Sequence, residues 1–230
     1  MADGIRLASR RERHKDRRRQ AIVDAAYDLL REVGADDLSV KMIAERADVS
    51  AATIYNLFGA KGAVLEKVYA RDFEVFAAKV EAAGPMRALE AMFESVRIAA
   101  DLYRSDPAFY RGLSLGNPRA ERELVVSVQA PRQAFWQALL ARAVKERDLA
   151  ADTRVDLVGA AMMQLGGGVF GAWIADLVSI DEMELQTCYG MARLLLGVAR
   201  PAARARLRAR LAELETALSP PSQQTPAAAS

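Results

Sequence analysis

The amino-acid sequence predicts an all-α protein, with a small N-terminal domain of three helices followed by a larger helical domain. The chain of 230 residues is divided by Gly and Pro into long segments rich in Ala, Leu, Arg and Glu, which favour helices. None of these segments shows the sustained alternation of apolar and polar residues that marks a strand. Because 52% of the residues are apolar, the chain can bury a core and global disorder is excluded.

The first predicted helix carries the clearest pattern. Its apolar residues recur at helical spacing and form one stripe along the helix, which predicts that this face is buried. The helix is expected to end at Gly34, where a left-handed C-terminal cap belongs. The stripe consists of Ile22, Ala25, Ala26, Leu29, Leu30 and Val33.

Two short helices are predicted next. Ser39 is placed to cap a helix over 40–47, and Ser50 to cap one over 51–57. A fourth helix begins at Lys61. Helices this short need the first helix to pack against, which is typical of a helix-turn-helix whose second helix enters the DNA major groove. A purely structural corner of two helices has the same pattern and remains the alternative at this point.

Three elements, AIVDAAYDLLREVG, LSVKMIAERADVS and TIYNLFGAKGAVL, stand in a fixed order with short gaps. Together they resemble the N-terminal domain of the TetR family of transcriptional regulators, over about residues 16–76 with the helix-turn-helix at 39–58. The resemblance implies a homodimer, a palindromic double-stranded DNA operator, and control by a small molecule held in the C-terminal domain. Repression is the commoner behaviour in the family.

The candidate DNA-binding residues lie mainly on the second short helix. The resemblance matches Thr53, Tyr55 and Lys61 to positions that usually contact phosphate, and their donors suit that partner. Short or amide side chains on the same helix are candidates for reading base edges, the amide pairing with adenine and the methyl groups touching thymine. The full set is Arg17, Arg18, Arg19, Lys41, Ser50, Ala51, Ala52, Thr53, Tyr55, Asn56 and Lys61.

The chain departs from the family pattern at two positions. The turn position usually held by Gly is Asp48, which tolerates left-handed backbone better than most residues. A family His found two residues after the Tyr is Leu57 here, which removes one phosphate donor.

Charge is unevenly distributed along the chain. The net charge is only +2, yet residues 1–19 carry +5 and residues 200–210 carry five Arg and no acid. We expect residues 1–15 to form a flexible basic arm, and residues 6–19 to order on DNA by phosphate contact or minor-groove insertion. The prediction places Arg17, Arg18 and Arg19 at the N-terminus of the first helix, where the helix dipole disfavours cations and a phosphate would relieve the penalty.

The larger domain is predicted over 77–218, with a disordered tail over 219–230 that lacks large apolar residues. Pro85 is expected to be the first residue of a helix over about 86–104, with further helices near 118–129 and 131–149. Residues 157–175 are apolar or Gly except for Gln164. Their five glycines and the flanking Asp156 and Asp176 argue against a membrane span.

Two interpretations of this apolar segment stay open: a dimer interface with close backbone approach, or room for a ligand. The resemblance places the interface on helices of about 153–178 and 182–200. Aromatic and Met side chains of the larger domain are candidates for a pocket that takes an apolar or aromatic effector, with ordinary core packing as the alternative. They are Phe93, Tyr103, Phe109, Tyr110, Phe135, Trp136, Met162, Met163, Gln164, Phe170 and Trp173.

The sequence does not predict an enzyme, a cofactor or a metal site. The chain has one His, His14, within the basic segment, and one Cys, Cys188, in a predicted helix, so neither forms a nucleophile–base pair by spacing. We therefore expect a cytoplasmic, ligand-responsive repressor that acts as a homodimer and does not enter the membrane. The alternative is a non-sensing helical architectural or partner-binding protein.

Overall fold

The computed structural model describes residues 2–113 and 122–219, which form ten α-helices. The helices are α1 Ala2–Asp37, α2 Val40–Arg46, α3 Ala51–Phe58, α4 Lys61–Ala82, α5 Ala88–Ser105, α6 Pro107–Gly112, α7 Arg122–Lys145, α8 Val155–Ile174, α9 Ile180–Leu196 and α10 Pro201–Leu218. The predicted all-α class is confirmed. The tail predicted to be disordered lies beyond Ser219, outside the described residues.

The chain divides into two compact units. Unit 1 comprises Met1–Ala82 and Leu102–Arg132, and unit 2 comprises Ala83–Asp101 and Gln133–Ser230. In unit 1, α1 packs against α2, α4 and α6, and α3 packs against α2 and α4. The apolar stripe of α1 is buried as its periodicity predicts, and the same core takes one or more residues from each of the other helices. Side chains with no exposed surface in this core include Ile22, Ala26, Leu30, Ile43, Ile54, Val64, Val68 and Phe109.

The local signals that define α2 and α3 are confirmed. Ser39 Oγ accepts the Met42 N–H at 3.2 Å, and Ser50 Oγ accepts the Thr53 N–H at 3.2 Å, so each helix has its expected N-cap. Asp48 adopts φ 51° in the turn between them, the left-handed conformation that the family usually assigns to Gly. The turn is closed by the Val49 N–H, which donates to Ala44 O at 3.0 Å.

The start and the end of α1 differ from the prediction. The helix begins at Ala2, so Arg17, Arg18 and Arg19 lie in its interior and the N-terminal dipole argument does not apply to them. The run of good helix formers after Gly4 carries the helix through this segment, supported by an exposed Arg19–Asp16 pair at 3.4 Å. Gly34 has φ 73°, a positive value that favours Gly, but its ψ of 173° is not that of a left-handed α cap, and the chain kinks there before the helix ends at Asp37.

Three further helix boundaries differ from the sequence prediction. Helix α5 begins at Ala88, so Pro85 precedes the helix instead of opening it. Residues 131–145 continue α7 rather than starting a helix, although Pro131 has no N–H to donate to Ser127 O. Arg132 Nη1 donates to the neighbouring Val128 O at 2.9 Å. Beyond the two helices predicted as the last long ones, α10 forms an additional helix of 18 residues.

Unit 2 is built around one apolar core, in which α9 packs against both α8 and α10. Its most completely buried large side chains are Met92, Leu140, Leu149, Met191, Leu195 and Leu207. A short antiparallel bridge joins Leu149 to Ala199. The buried Asp148 carboxylate accepts from Arg87 Nε at 3.2 Å and also pairs with Arg206, so the start of α5 and the first half of α10 are fixed to the end of α7.

Helix α8 is apolar along most of its length, yet few of its residues are fully buried. Only Gly159, Met162 and Trp173 along it are buried, while Leu157 is 58% exposed. In the described part of the chain it is the one helix that is long and apolar enough to cross a membrane, a criterion that concerns length and composition alone. An apolar helix with so little cover in unit 2 has a large surface available to a partner.

Candidate nucleic-acid interface

Helix α3 presents a small, continuous set of uncovered side chains. Ala51, Ala52, Tyr55 and Asn56 are all exposed, while Ile54 on the opposite face has no exposed surface and anchors the helix to the core of unit 1. The Tyr55 ring is 53% exposed, so this ring is not core packing. The outer face of α3 therefore carries a phenol, an amide and two methyl groups, which suit a DNA groove.

The N-terminus of α3 is ordered by a local hydrogen-bond pair. Ser50 Oγ lies 2.9 Å from Thr53 Oγ1 and also caps the helix, so both hydroxyls are held at the first turn. Free N–H groups and hydroxyls at a helix start are a suitable partner for a phosphate oxygen. Ser50 is exposed and Thr53 is half-buried, so this turn is open to a ligand.

Lys61 occupies a more constrained position than the sequence indicates. Its Nζ donates to Leu38 O at 2.8 Å and to Ala35 O at 3.2 Å, and it thereby fixes the start of α4 to the segment between α1 and α2. An ammonium group has three donors, so one remains for a phosphate. Lys61 thus holds the helix-turn-helix together whether or not DNA is bound.

The remaining predicted cations are exposed. The Lys41 side chain is 84% exposed, and its Nζ is 3.9 Å from Glu45 Oε1, too long for a hydrogen bond. Arg17 and Arg18 are exposed on α1, and the Arg19 side chain is 39% exposed. All four are available to a phosphate backbone.

Two ion pairs hold the helices around α3 in position. Arg46 donates to both Glu32 oxygens, at 2.9 and 2.8 Å, which joins the end of α2 to α1. This hydrogen-bonded guanidinium lowers the pKa of Glu32. Arg71 on α4 donates to Asp24 on α1 at 2.5 Å. The bidentate pair restricts the angle of α2, and with it that of α3.

The predicted pocket residues divide between the two units. Tyr103, Phe109 and Tyr110 belong to unit 1, where the Phe109 ring packs on Tyr27 at 4.1 Å and the Tyr103 ring on Tyr110 at 4.6 Å. The others belong to unit 2, where Met162 and Trp173 are buried, Gln164 is exposed and the rest are half-buried. This second group is Phe93, Phe135, Trp136, Met162, Met163, Gln164, Phe170 and Trp173.

A buried polar cluster in unit 1 was not predicted. Asp72 on α4 accepts the Tyr110 hydroxyl proton at 2.7 Å and lies 3.6 Å from Arg132. Burial raises the pKa of Asp72, against the opposing effects of the Tyr110 hydrogen bond and the Arg132 charge. Burial also raises the pKa of Tyr110. A signal existed in the sequence, because Asp72 continues the apolar face of α4 one turn after Val68.

The chain is similar to known regulators at two levels. Residues 22–68 match the family model described as bacterial regulatory proteins, tetR family. An uncharacterized HTH-type transcriptional regulator of Bacillus subtilis (strain 168), YdeS, is 50% identical over 60 residues, which are 26% of this chain. The match spans only 30% of that relative's length.

Solved structures resemble the fold of most of the chain. A TetR-family regulator from Syntrophomonas wolfei (strain Goettingen) superposes with a TM-score of 0.67 at 15% identity, over 79% of this chain and 96% of that one. TylP from Streptomyces fradiae gives a TM-score of 0.61 at 19% identity, over 92% and 95%. A regulatory protein TetR from Rhodobacter sphaeroides gives 0.59 at 18%, over 76% and 97%. All three are described as regulators or regulatory proteins, and at these identities the likeness concerns the fold alone.

Proposed function

We propose, from the premise that the chain belongs to the TetR family of bacterial regulatory proteins, that it is a ligand-responsive repressor that binds a palindromic operator as a homodimer. The observation that carries this proposal is the exposed face of α3. The side chains on this face are exposed and do not pack in the core of unit 1, and their groups can contact bases and phosphates in a DNA groove. The opposite face is anchored by Ile54.

The contacts divide by chemistry into two sets. Asn56 reads a base edge, and Ala51 and Ala52 touch thymine methyl groups. Phosphate contacts come from the hydroxyls of Thr53 and Tyr55 and from nearby cations, and they set the register of α3 on the duplex without carrying sequence information. The proposed phosphate partners are Arg17, Arg18, Arg19, Lys41, Ser50, Thr53, Tyr55 and Lys61.

The exposure of α8 supports a homodimer. Leu157 on α8 and Leu177 just after it are 58% and 76% exposed, and Leu194 on α9 is 37% exposed. At Gly166, Gly167, Gly168 and Gly171 an added methyl group would meet nothing within 4 Å. A second copy covering this apolar helix could approach its backbone closely and remove the large side chains from water.

The effector is proposed to be a small apolar or aromatic molecule held by part of the aromatic and Met set, and the protein to act in the cytoplasm. Most of the described residues of that set belong to unit 2. There they lie in or next to the core on which α8 and α9 pack. Apolar and aromatic side chains with a few polar groups suit such a ligand.

A nuclease footprint on the intergenic DNA beside the gene tests the proposed function. The expected result is a protected region with two-fold symmetry, which disappears when an effector found by thermal-shift screening is added. An asymmetric footprint would contradict the homodimer on a palindrome. Protection that no stabilising compound relieves would instead favour a non-sensing DNA-binding protein.

A further inference from the structure

Helix α10 carries exposed arginines beside its buried face. Ala203, Leu207, Leu211 and Leu214 are buried and fix which side of the helix faces inward. Arg204 and Arg208 are exposed one turn apart on the same side of α10, and Arg200 is exposed at its N-cap, where the backbone is extended. These three residues are here called the arginine stripe.

The other two arginines of α10 have structural partners. Arg206 pairs with the buried Asp148, and Arg210 donates to Glu213 at 2.9 Å and lies over the Phe93 ring. Within residues 2–113 and 122–219, by contrast, the structure gives the three stripe side chains neither an ion pair nor a hydrogen bond. The fold therefore uses Arg206 and Arg210 and leaves the stripe with no structural role.

The charges of the arginine stripe are unfavourable for the stability of α10. The first turn of α10 contains no acid, and its acidic residues, Glu213 and Glu215, lie in the second half. Cations near an N-terminus oppose the helix dipole, and like charges four residues apart repel each other. Both effects destabilise α10 in isolation, and an anionic partner lying along the stripe would reverse both.

A fourth arginine extends this patch beyond the start of α10. Arg147 is exposed and adopts φ 61°, an uncommon conformation for a residue other than Gly. It directly precedes Asp148, whose carbonyl accepts the Arg200 N–H at 2.9 Å. The backbone contact brings the Arg147 turn next to the first residue of the stripe.

We propose that the arginine stripe, extended by Arg147, is a second site for the phosphate backbone of duplex DNA, separate from the helix-turn-helix. Arg204 and Arg208 are about 6 Å apart along the helix axis. Arg200 precedes them at the N-cap, so the three cations follow one another along the chain and suit a linear polyanion better than one small anion. All the cations of residues 200–210 are Arg, whose planar fork matches phosphate oxygens. The choice of DNA over other polyanions rests on the proposed function, which brings the protein to DNA.

The test measures binding of the full-length protein to a duplex without operator, by fluorescence anisotropy over a range of KCl concentrations. Each phosphate contact contributes about 0.9 to the slope of log K against log salt. The triple variant Arg200→Gln/Arg204→Gln/Arg208→Gln is therefore expected to lower the slope by about 2 to 3 and to weaken binding at low salt.

A pair of single variants in α10 provides a matched control. Arg204→Gln and Arg210→Gln change the net charge equally, but only Arg210 is already neutralised by an acid. The slope is expected to fall by about 1 for Arg204→Gln and to stay unchanged for Arg210→Gln. Equal effects of the two substitutions would overturn the proposal, because the loss would then reflect net charge. Thermal unfolding establishes that each variant folds.

Two further experiments test whether the stripe binds independently of the helix-turn-helix and whether its partner is DNA or a membrane. In a Tyr55→Ala/Asn56→Ala background, operator specificity is lost, but the part of the salt slope due to the stripe should persist if the stripe binds DNA by itself. Its disappearance there would overturn a separate site. Vesicles containing anionic lipid are the second arm, and stripe-dependent binding to vesicles with none to the duplex would replace DNA by a membrane surface.

Discussion

At the scale of single residues, Tyr55 and Asn56 are neighbours with different expected roles. Both are exposed on α3, and neither is needed to pack unit 1. Under the proposed function, the phenol of Tyr55 is expected to donate to phosphate, which every sequence contains, whereas the amide of Asn56 is expected to pair with adenine by two hydrogen bonds. Replacing each in turn therefore separates affinity from specificity.

We predict that Tyr55→Phe weakens binding to all duplexes by a similar factor, since it removes one hydrogen bond to a charged group, worth about 1.5–3 kcal/mol. Asn56→Ala should weaken operator binding and reduce discrimination at one base pair per half-site by about 1–3 kcal/mol. Competition of each variant against operators with every single substitution measures both effects. A uniform loss for Asn56→Ala would contradict its role in base reading.

The buried Asp72 makes a second prediction at the residue scale, concerning stability against pH. Its pKa is raised from 3.8 mainly by burial, so the folded state holds the proton more tightly than the unfolded state. This contribution is fully present below pH 3.8 and is lost as the pH rises through the raised folded value. Each pKa unit of the shift corresponds to about 1.4 kcal/mol.

Asp72→Asn keeps an acceptor for Tyr110 and removes the titration. The unfolding free energy of the wild type minus that of Asp72→Asn should therefore decrease as the pH rises above 3.8. Urea unfolding at a series of pH values measures the difference. Asp37→Asn, which removes an exposed carboxylate, controls for the lost charge, and the same pH trend in both variants would contradict this assignment.

At the scale of elements, α6 and α1 approach each other closely at Gly112, which has the shortest distance from an added methyl group to a neighbouring atom among the described glycines. A methyl group added at Gly112 would lie 1.9 Å from Leu30 O and 2.8 Å from the Leu30 carbonyl carbon. At the other end of α6, Asp106 caps the helix and accepts from Arg31 Nε at 2.8 Å. Helix α6 is thus attached to α1 at both ends, within unit 1.

We predict that Gly112→Ala destabilises the protein by at least about 1–3 kcal/mol, because a backbone carbonyl cannot move aside as a flexible side chain would. The same substitution should weaken operator binding, since α1 supports the helix-turn-helix. Chemical unfolding and operator titration measure the two effects. Ala108→Ser on the exposed side of α6 is the matched control, expected to change stability by less than about 0.5 kcal/mol, and an equally small effect of Gly112→Ala would contradict the close approach.

Elements specified by neighbours in sequence were predictable, and those that depend on distant contacts were not. The Ser39 and Ser50 caps and the Asp48 turn follow from residues within four positions, and the structure has all three. Lys61 looks like a free phosphate ligand in the sequence because its two carbonyl partners lie 23 and 26 residues earlier. Helix α7 continues through Pro131, whereas the local rule for Pro predicts a break there.

The pocket residues show the same limit. Aromatic and Met residues at helical spacing look alike whether they line a cavity or fill a core. The division into two units separates Tyr103, Phe109 and Tyr110 from the remaining candidates, and that division depends on contacts of residues 102–132 with distant parts of the chain. The composition of the chain therefore suggests the kind of ligand but not the residues that would hold it.

At the scale of the whole molecule, the net charge of +2 is the sum of segments with different uses. The basic residues of α1 lie in the unit that contains α3, while those of α10 belong to unit 2. A value close to zero thus gives no indication of a DNA-binding protein. The distribution of charge along the chain does give this indication. Each basic segment lies on one helix and carries cations that have no described structural partner.

The last prediction concerns assembly, because a palindromic operator requires two copies of α3. If α8 and the residues around it form the dimer interface, Leu157→Glu places a charge in the buried centre of the contact. The variant should sediment as a monomer near 25.1 kDa, where the wild type sediments at twice that mass. Operator affinity should fall steeply because each monomer then binds one half-site alone.

The matched control is Val126→Glu on α7, where the native side chain is 60% exposed against 58% for Leu157. It adds the same charge at the same exposure but lies in unit 1, away in sequence from α8, and it should leave the dimer intact. Sedimentation velocity over a range of concentrations compares the three proteins. Dissociation by both substitutions would indicate a non-specific effect of charge, and a dimeric Leu157→Glu variant would place the interface elsewhere on the molecule.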